Sequence, residues 1–145
     1  MALGNITSAN AAVILTVDTL FPSGITLEQF ATDQAVTQEE VILSETRMGI
    51  DGHMAAGFKP SVKPVTLMLE ASSPSRAALD QVVRAMEQNT TTYECTLVAR
   101  VPSIGVTYTW TGGVLKSGST FPGLKAVLEP TTWKFDFAEM KVSSI

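Results

Sequence analysis

Between Glu45 and Arg100 the chain runs from a glycine-punctuated stretch, ETRMGIDGHMAAGFKP, into a strand pattern, PVTLMLEAS, then a capped helix, SPSRAALDQVVRAMEQ, and a second strand pattern, TTYECTLVAR. This order of elements constrains the fold more than any other feature, because it allows one helix with strands on both sides. Ser73 offers its hydroxyl as an N-cap and Pro74 occupies the first helical position, where its missing N–H costs nothing. Ala78, Leu79, Val82, Val83 and Met86 form one apolar stripe opposite Arg76, Asp80, Arg84 and Glu87, so the helix packs one face on a sheet. Asn89 marks its stop.

The remainder reads as strands and turns. Ala12 to Leu20 is apolar and β-branched and ends at the turn signal Phe21, Pro22, Ser23 and Gly24. Ile25 to Phe30 is short and fits neither template, and Ala31 to Gln38 reads as an extended polar loop. From Glu39 to Met48 a strand pattern places Glu39, Val41, Leu43, Glu45 and Arg47 on one face and Glu40, Ile42, Ser44, Thr46 and Met48 on the other. Neither face is cleanly apolar, which suits a subunit interface better than a buried sheet. Gly49, Gly52 and Gly57, followed by Pro60 and Pro64, predict a loop or arm over residues 49–64. Strands are expected at Val65–Leu69, Thr91–Val101, Val106–Val114 and Thr131–Lys141, the second and third joined by a hairpin connection at Pro102–Gly105. In the last of them Trp133, Phe135 and Phe137 alternate with Lys134, Asp136 and Ala138. With no repeat or linker, the 145 residues predict one mainly β domain with a single main helix, long enough to bury about two-thirds of its unfolded surface.

Composition excludes several functions. The formal charge is −4, and without clustered Lys and Arg the chain lacks the means to grip nucleic acid. Hydrophobic residues make up 45% and charged residues only 17%, below the roughly 25% of an ordinary soluble domain, so surplus apolar surface is available for a partner. The first apolar run, Ala11 to Val17, is too short to span a bilayer, and no basic segment precedes it, so neither membrane binding nor export is expected.

Catalytic chemistry is thin. His53 is the only histidine and Cys95 the only cysteine, the latter inside an apolar strand pattern as a buried thiol rather than a nucleophile. Asp51 and Gly52 read as a turn rather than a metal loop. Glu39 and Glu40 point to opposite faces of a strand and cannot flank one substrate bond. Tyr108, Thr109 and Trp110 fit an aromatic core face better than a stacking platform, and the sequons at Asn5 and Asn89 are read as idle. No catalytic residue, metal ligand or cofactor is predicted.

The opening MALGNITSANAAVILTV, the stretches ETRMGIDGHMAAGF and PVTLMLEASSPSRAALDQVV, and the closing TTWKFDFAEM together resemble the tail-tube proteins of tailed phages, to which the tube of type VI secretion systems is similar. The resemblance implies a β-sandwich or barrel subunit that forms homo-hexameric rings, stacked into a tube through which the genome passes. It implies partners among tail sheath, tape-measure, baseplate hub and tail terminator proteins, and assembly in the bacterial cytoplasm into the virion tail. A tube initiator, terminator or baseplate ring is the neighbouring role, and a small β-barrel ligand-binding module the reading from a different class. Six chains at −4 would give −24 per ring, so DNA would slide through the lumen without specific binding. The candidate ring-stacking residues are Asp33, Gln34, Glu39, Glu45, Arg47, Asp51, His53, Phe58 and Lys59. The candidate lumen residues are Glu94, Thr96, Thr107 and Thr109.

Overall fold

The structure, a computed structural model, describes residues 11–30 and 35–145. It contains strands β1 (Ala12–Val17), β2 (Phe21–Thr26), β3 (Val36–Gln38), β4 (Ser44–Met48), β5 (Met54–Phe58) and β6 (Lys63–Leu69), helix α1 (Pro74–Asn89), then β7 (Cys95–Val101), β8 (Val106–Gly118), β9 (Thr131–Phe137) and β10 (Glu139–Ser144). One large antiparallel sheet runs in the order β2-β1-β7-β8-β9-β6-β3, with β10 also paired to β8. The expected mainly β chain with one main helix is what the structure shows.

The thirteen residues of β8 hold this sheet together. Its first half lies between β7 and β10, pairing Thr109 with both Val98 and Lys141, and its second half pairs with β9 through Leu115 and Phe135. The change of partner makes a corner. Gly112 takes φ +64°, and a Cβ on Gly113 would fall 2.1 Å from the Phe137 ring, so the backbone bends where only glycine lets Phe137 press against it. The same corner breaks the expected Thr131–Lys141 strand at Ala138 into β9 and β10.

Trp133, Phe135 and Phe137 are fully buried with Leu15, Leu67, Leu69, Leu97, Val17 and Val65, and α1 adds Leu79 and Val82 from its predicted stripe. Each such side chain contributes about 1.5–3 kcal/mol when buried. The polar groups beside Trp133 are paired: Trp133 Nε1 donates to Thr131 Oγ1 at 3.0 Å, and Thr131 Oγ1 donates to the Leu69 carbonyl at 3.3 Å. Trp110 belongs to this core, its Nε1 donating to Gln38 Oε1 at 2.6 Å. Ser73 caps α1 as expected, accepting from the Ser75 amide at 3.3 Å and donating to the Glu28 carbonyl, while Ser75 Oγ accepts from the Glu28 amide at 2.9 Å.

Four expectations are corrected. Phe21–Gly24 is strand rather than turn: the reversal comes earlier, at Thr19 with φ +74°, and Pro22 is tolerated because β2 is an edge strand. Ala31–Gln38 is not all loop, since Val36–Gln38 pairs with β6. The Glu39–Met48 strand is formed only over Ser44–Met48. Within residues 49–64, Met54–Phe58 is a return strand and Lys63 and Pro64 already belong to β6. Asn5, Asp33 and Gln34 lie outside the described residues.

Candidate functional site

The hairpin that starts as β3 and β6 continues outward as an arm. Beyond the Gln38–Val65 pair, the Glu39 amide donates to the Pro64 carbonyl at 3.1 Å, Ser61 Oγ to the Ile42 carbonyl at 2.9 Å, and the Lys59 amide to the Leu43 carbonyl at 3.0 Å. There β4 and β5 pair with one another and with no other described strand, and all ten of their residues are exposed. Glycines and a local carboxylate close the tip: the Gly49 amide donates to the His53 carbonyl at 2.8 Å, Gly52 sits at φ +86°, and Asp51 accepts from the His53 amide at 3.1 Å. The Asp51 carboxylate also lies 3.0 Å from His53 Nδ1, and the backbone and then the side-chain hydrogen bond from His53 lower its pKa. The GIDGH stretch is therefore a turn, and among the described residues no group of His, Cys, Asp and Glu is arranged to hold a metal.

Pairing gives the arm two unlike faces, because residues opposite one another in an antiparallel ladder share a face. Ser44, Thr46 and Met48 stand with Phe58, Ala56 and Met54, and Glu45 and Arg47 stand with Gly57 and Ala55. The first face is apolar and the second charged. The charged side borders an open hollow of about 340 Å³ reaching Phe58, Lys59 and Pro60. β4 alone looked two-sided and polar because most of its apolar partners come from the return strand. Ile42, Leu43, Ile50 and Val62 extend the exposed apolar surface along the arm. Of the candidate stacking residues, Glu45, Arg47, Asp51, His53, Phe58 and Lys59 come together on this arm and Glu39 stands at its stem.

The candidate lumen residues also converge. Val13, Leu15, Val17, Leu97, Ala99 and Trp110 are buried, so the alternating residues of the same strands face away from the core. Register then sets Thr16 beside Thr96, Thr109 beside Val98 and Lys141, Thr107 beside Arg100 and Ser143, and Thr111 beside Glu139. Glu94, exposed just ahead of β7, continues the alternation at the end of this face, near Asp18. The result is a hydroxyl-rich surface with scattered charges of both signs and one apolar pair, Ile14 opposite Val98. Cys95 lies on the opposite, buried side, where burial pushes its thiol up to about 11 and leaves it unreactive at neutral pH.

One exposed segment escaped the sequence reading: the Ser119–Pro130 connection between β8 and β9, which displays Phe121, Leu124, Val127 and Leu128. The Glu129 amide donates to the Gly123 carbonyl at 3.2 Å, and Lys125 pairs with Glu129 at 2.6 Å, an interaction that raises the Lys125 pKa. Phe121 just before Pro122, and Leu124, Val127 and Leu128 between Pro122 and Pro130, without strand or helix periodicity, were the available signal. Beside this connection an open hollow of about 390 Å³ lies between α1 and the end of β8.

Among known proteins, the family model described as tail fiber protein gp32 matches residues 4–141. No curated protein sequence matches the chain. In fold the chain is similar to the tube-terminating cap of the anti-feeding prophage, at 10% identity over 100% of this chain and 95% of that one, with a TM-score of 0.64. The sheath/tube terminator of an extracellular contractile injection system, PVC, gives 11% identity over 99% and 100%, TM-score 0.63. A chain of the PVC sheath-tube complex gives 12% identity over 92% and 88%, TM-score 0.60. One fold therefore recurs in caps, terminators and sheath-tube complexes.

Proposed function

This chain belongs to the tail fiber protein gp32 family, structural components of a phage tail, and from that premise we propose that it is a tube-forming subunit, assembled as stacked hexameric rings around a lumen for the genome. The arm carries this reading. A hairpin that leaves all ten strand residues, Phe58 among them, in solvent needs a partner surface, because exposed strand edges and large apolar patches otherwise template uncontrolled association. Its neighbours in the finished tail would be further rings and, at the ends and around the outside, the terminator, baseplate hub, tape-measure and sheath proteins.

The hydroxyl face suits a lumen. Threonines neither attract phosphates nor present an apolar wall, and the few charges there, Asp18, Glu94 and Glu139 against Arg100 and Lys141, give no basic track that would hold DNA. Strands β2 and β10 each have one edge unpaired among the described residues, and joining such edges between neighbours in a ring would remove them.

Replacing residues 42–62 by a short turn tests the proposal. The trimmed protein is expected to keep its fold, because β4 and β5 pair with no other described strand and their residues are exposed, and to lose tube formation. Long tubes from the trimmed protein would overturn it. Rings that form in the intact protein but never lengthen would instead assign a cap, terminator or baseplate role.

A further inference from the structure

The register of β6 places the two exposed apolar features at opposite ends of one half-sheet. The arm leaves β6 at Lys63, which pairs with Phe137, whereas the Ser119–Pro130 connection meets the sheet at Thr131, which pairs with Leu69 at the other end of β6. Seven strand residues, about 20 Å at 3.3 Å per residue, separate them. A chain with two different sticky patches facing opposite ways along its strands is built for a head-to-tail contact, which repeats without closing on itself.

We infer that the arm tip of one copy seats in the next copy's hollow between α1 and β8, against its Ser119–Pro130 connection. This rests on the reading of the arm as the stacking element and names its acceptor. The tip presents Met48, Ile50 and Met54, unbranched or aliphatic side chains able to fill an irregular surface. The acceptor presents the half-buried Val83 and Met86 in the hollow, over the buried Leu115, with Phe121 and Leu124 beyond it. Both surfaces also carry charge of both signs: Arg47, on the other face of the hairpin, and Asp51, held by His53, stand near the tip, and Glu87 and Lys116 line the hollow. Lys116 pairs with its own Asp136 at 3.7 Å but is 64% exposed, so its ammonium stays accessible to a second carboxylate.

The test uses full-length Ile50→Cys and full-length Leu124→Cys, purified separately, mixed at polymerising concentration and treated with a flexible bis-maleimide; buried Cys95 stays silent. A cross-linked dimer in the mixture, and none in either protein alone, is the expected result. Absence of that band from the mixture overturns the pairing, and so does a dimer of Ile50→Cys with itself, which would mean arm against arm. A parallel sample of Ile50→Asp separates the two levels of the account. If Ile50→Asp stops elongation while no cross-link forms, the arm stacks on some other surface and only the pairing falls. If Ile50→Asp elongates like the natural protein, the stacking role of the arm falls with it.

Discussion

Phe58→Ala separates the work of the arm from the work of the fold. Phe58 is 79% exposed and stands opposite Ser44 on the apolar face of the hairpin. A phenylalanine buries about 150–250 Å² when fully covered, so roughly 120–200 Å² of this one awaits a partner. At about 25 cal/mol per Å² that surface is worth about 3–5 kcal/mol when covered, of which the remaining alanine keeps a fraction. A loss of about 2–3 kcal/mol per contact raises the critical concentration for tube growth by about 30–150-fold. Sedimentation of polymer across a dilution series reads this directly. The monomer's thermal midpoint is expected to move by no more than about 2 °C, since an exposed substitution shifts stability by about 0.5 kcal/mol. An unchanged critical concentration would refute the reasoning. So would a fall in thermal midpoint of more than about 5 °C, because Phe58 would then be supporting the domain rather than its assembly.

Three further outcomes are expected. Gly113→Ala sets a Cβ 2.1 Å from the fully buried Phe137 ring and should cost about 1–3 kcal/mol, lowering the midpoint by roughly 3–10 °C in a thermal melt, whereas Gly57→Ala, with open space around it, should leave the melt unchanged. Cys95, raised from 9.0 to about 11 in the fold, favours the folded state below pH 9, and this contribution, about 2–3 kcal/mol, is lost as pH rises through 11; urea titrations should show the decline in the natural protein and a flatter profile in Cys95→Val. Thr96→Lys with Thr109→Lys should make assembled tubes retain DNA at low salt and release it at high salt, as read by co-sedimentation, and no retention would remove this face from the lumen.

The helix and most of the body strands were legible because their signals are local. Ser73 with Pro74, the Leu79–Val82 stripe and the Trp133–Phe135–Phe137 alternation each report on neighbours within a few residues, and the structure places them as read. The arm was harder. Its apolar face exists only after Met54, Ala56 and Phe58 return beside Met48, Thr46 and Ser44, so a reading of one strand at a time saw glycines and a loop or arm without its return strand. The β8 corner was equally hidden: Gly112 and Gly113 are ordinary in sequence, and their purpose appears only with the positive φ of Gly112 and with Phe137 pressed against Gly113 from a strand more than twenty residues away. Threonines 96, 107 and 109 could be named as polar alternates from sequence alone, but their meeting on one face depends on the β7–β8 register. The apolar Ser119–Pro130 connection was missed because it has no period to find.

Negative-stain electron microscopy of the full-length protein over a rising concentration series tests the central claim most directly. Six-fold rings stacked into long hollow tubes are the predicted result. Particles that stay monomeric at every concentration, including after addition of preformed tail ends as seeds, would contradict it.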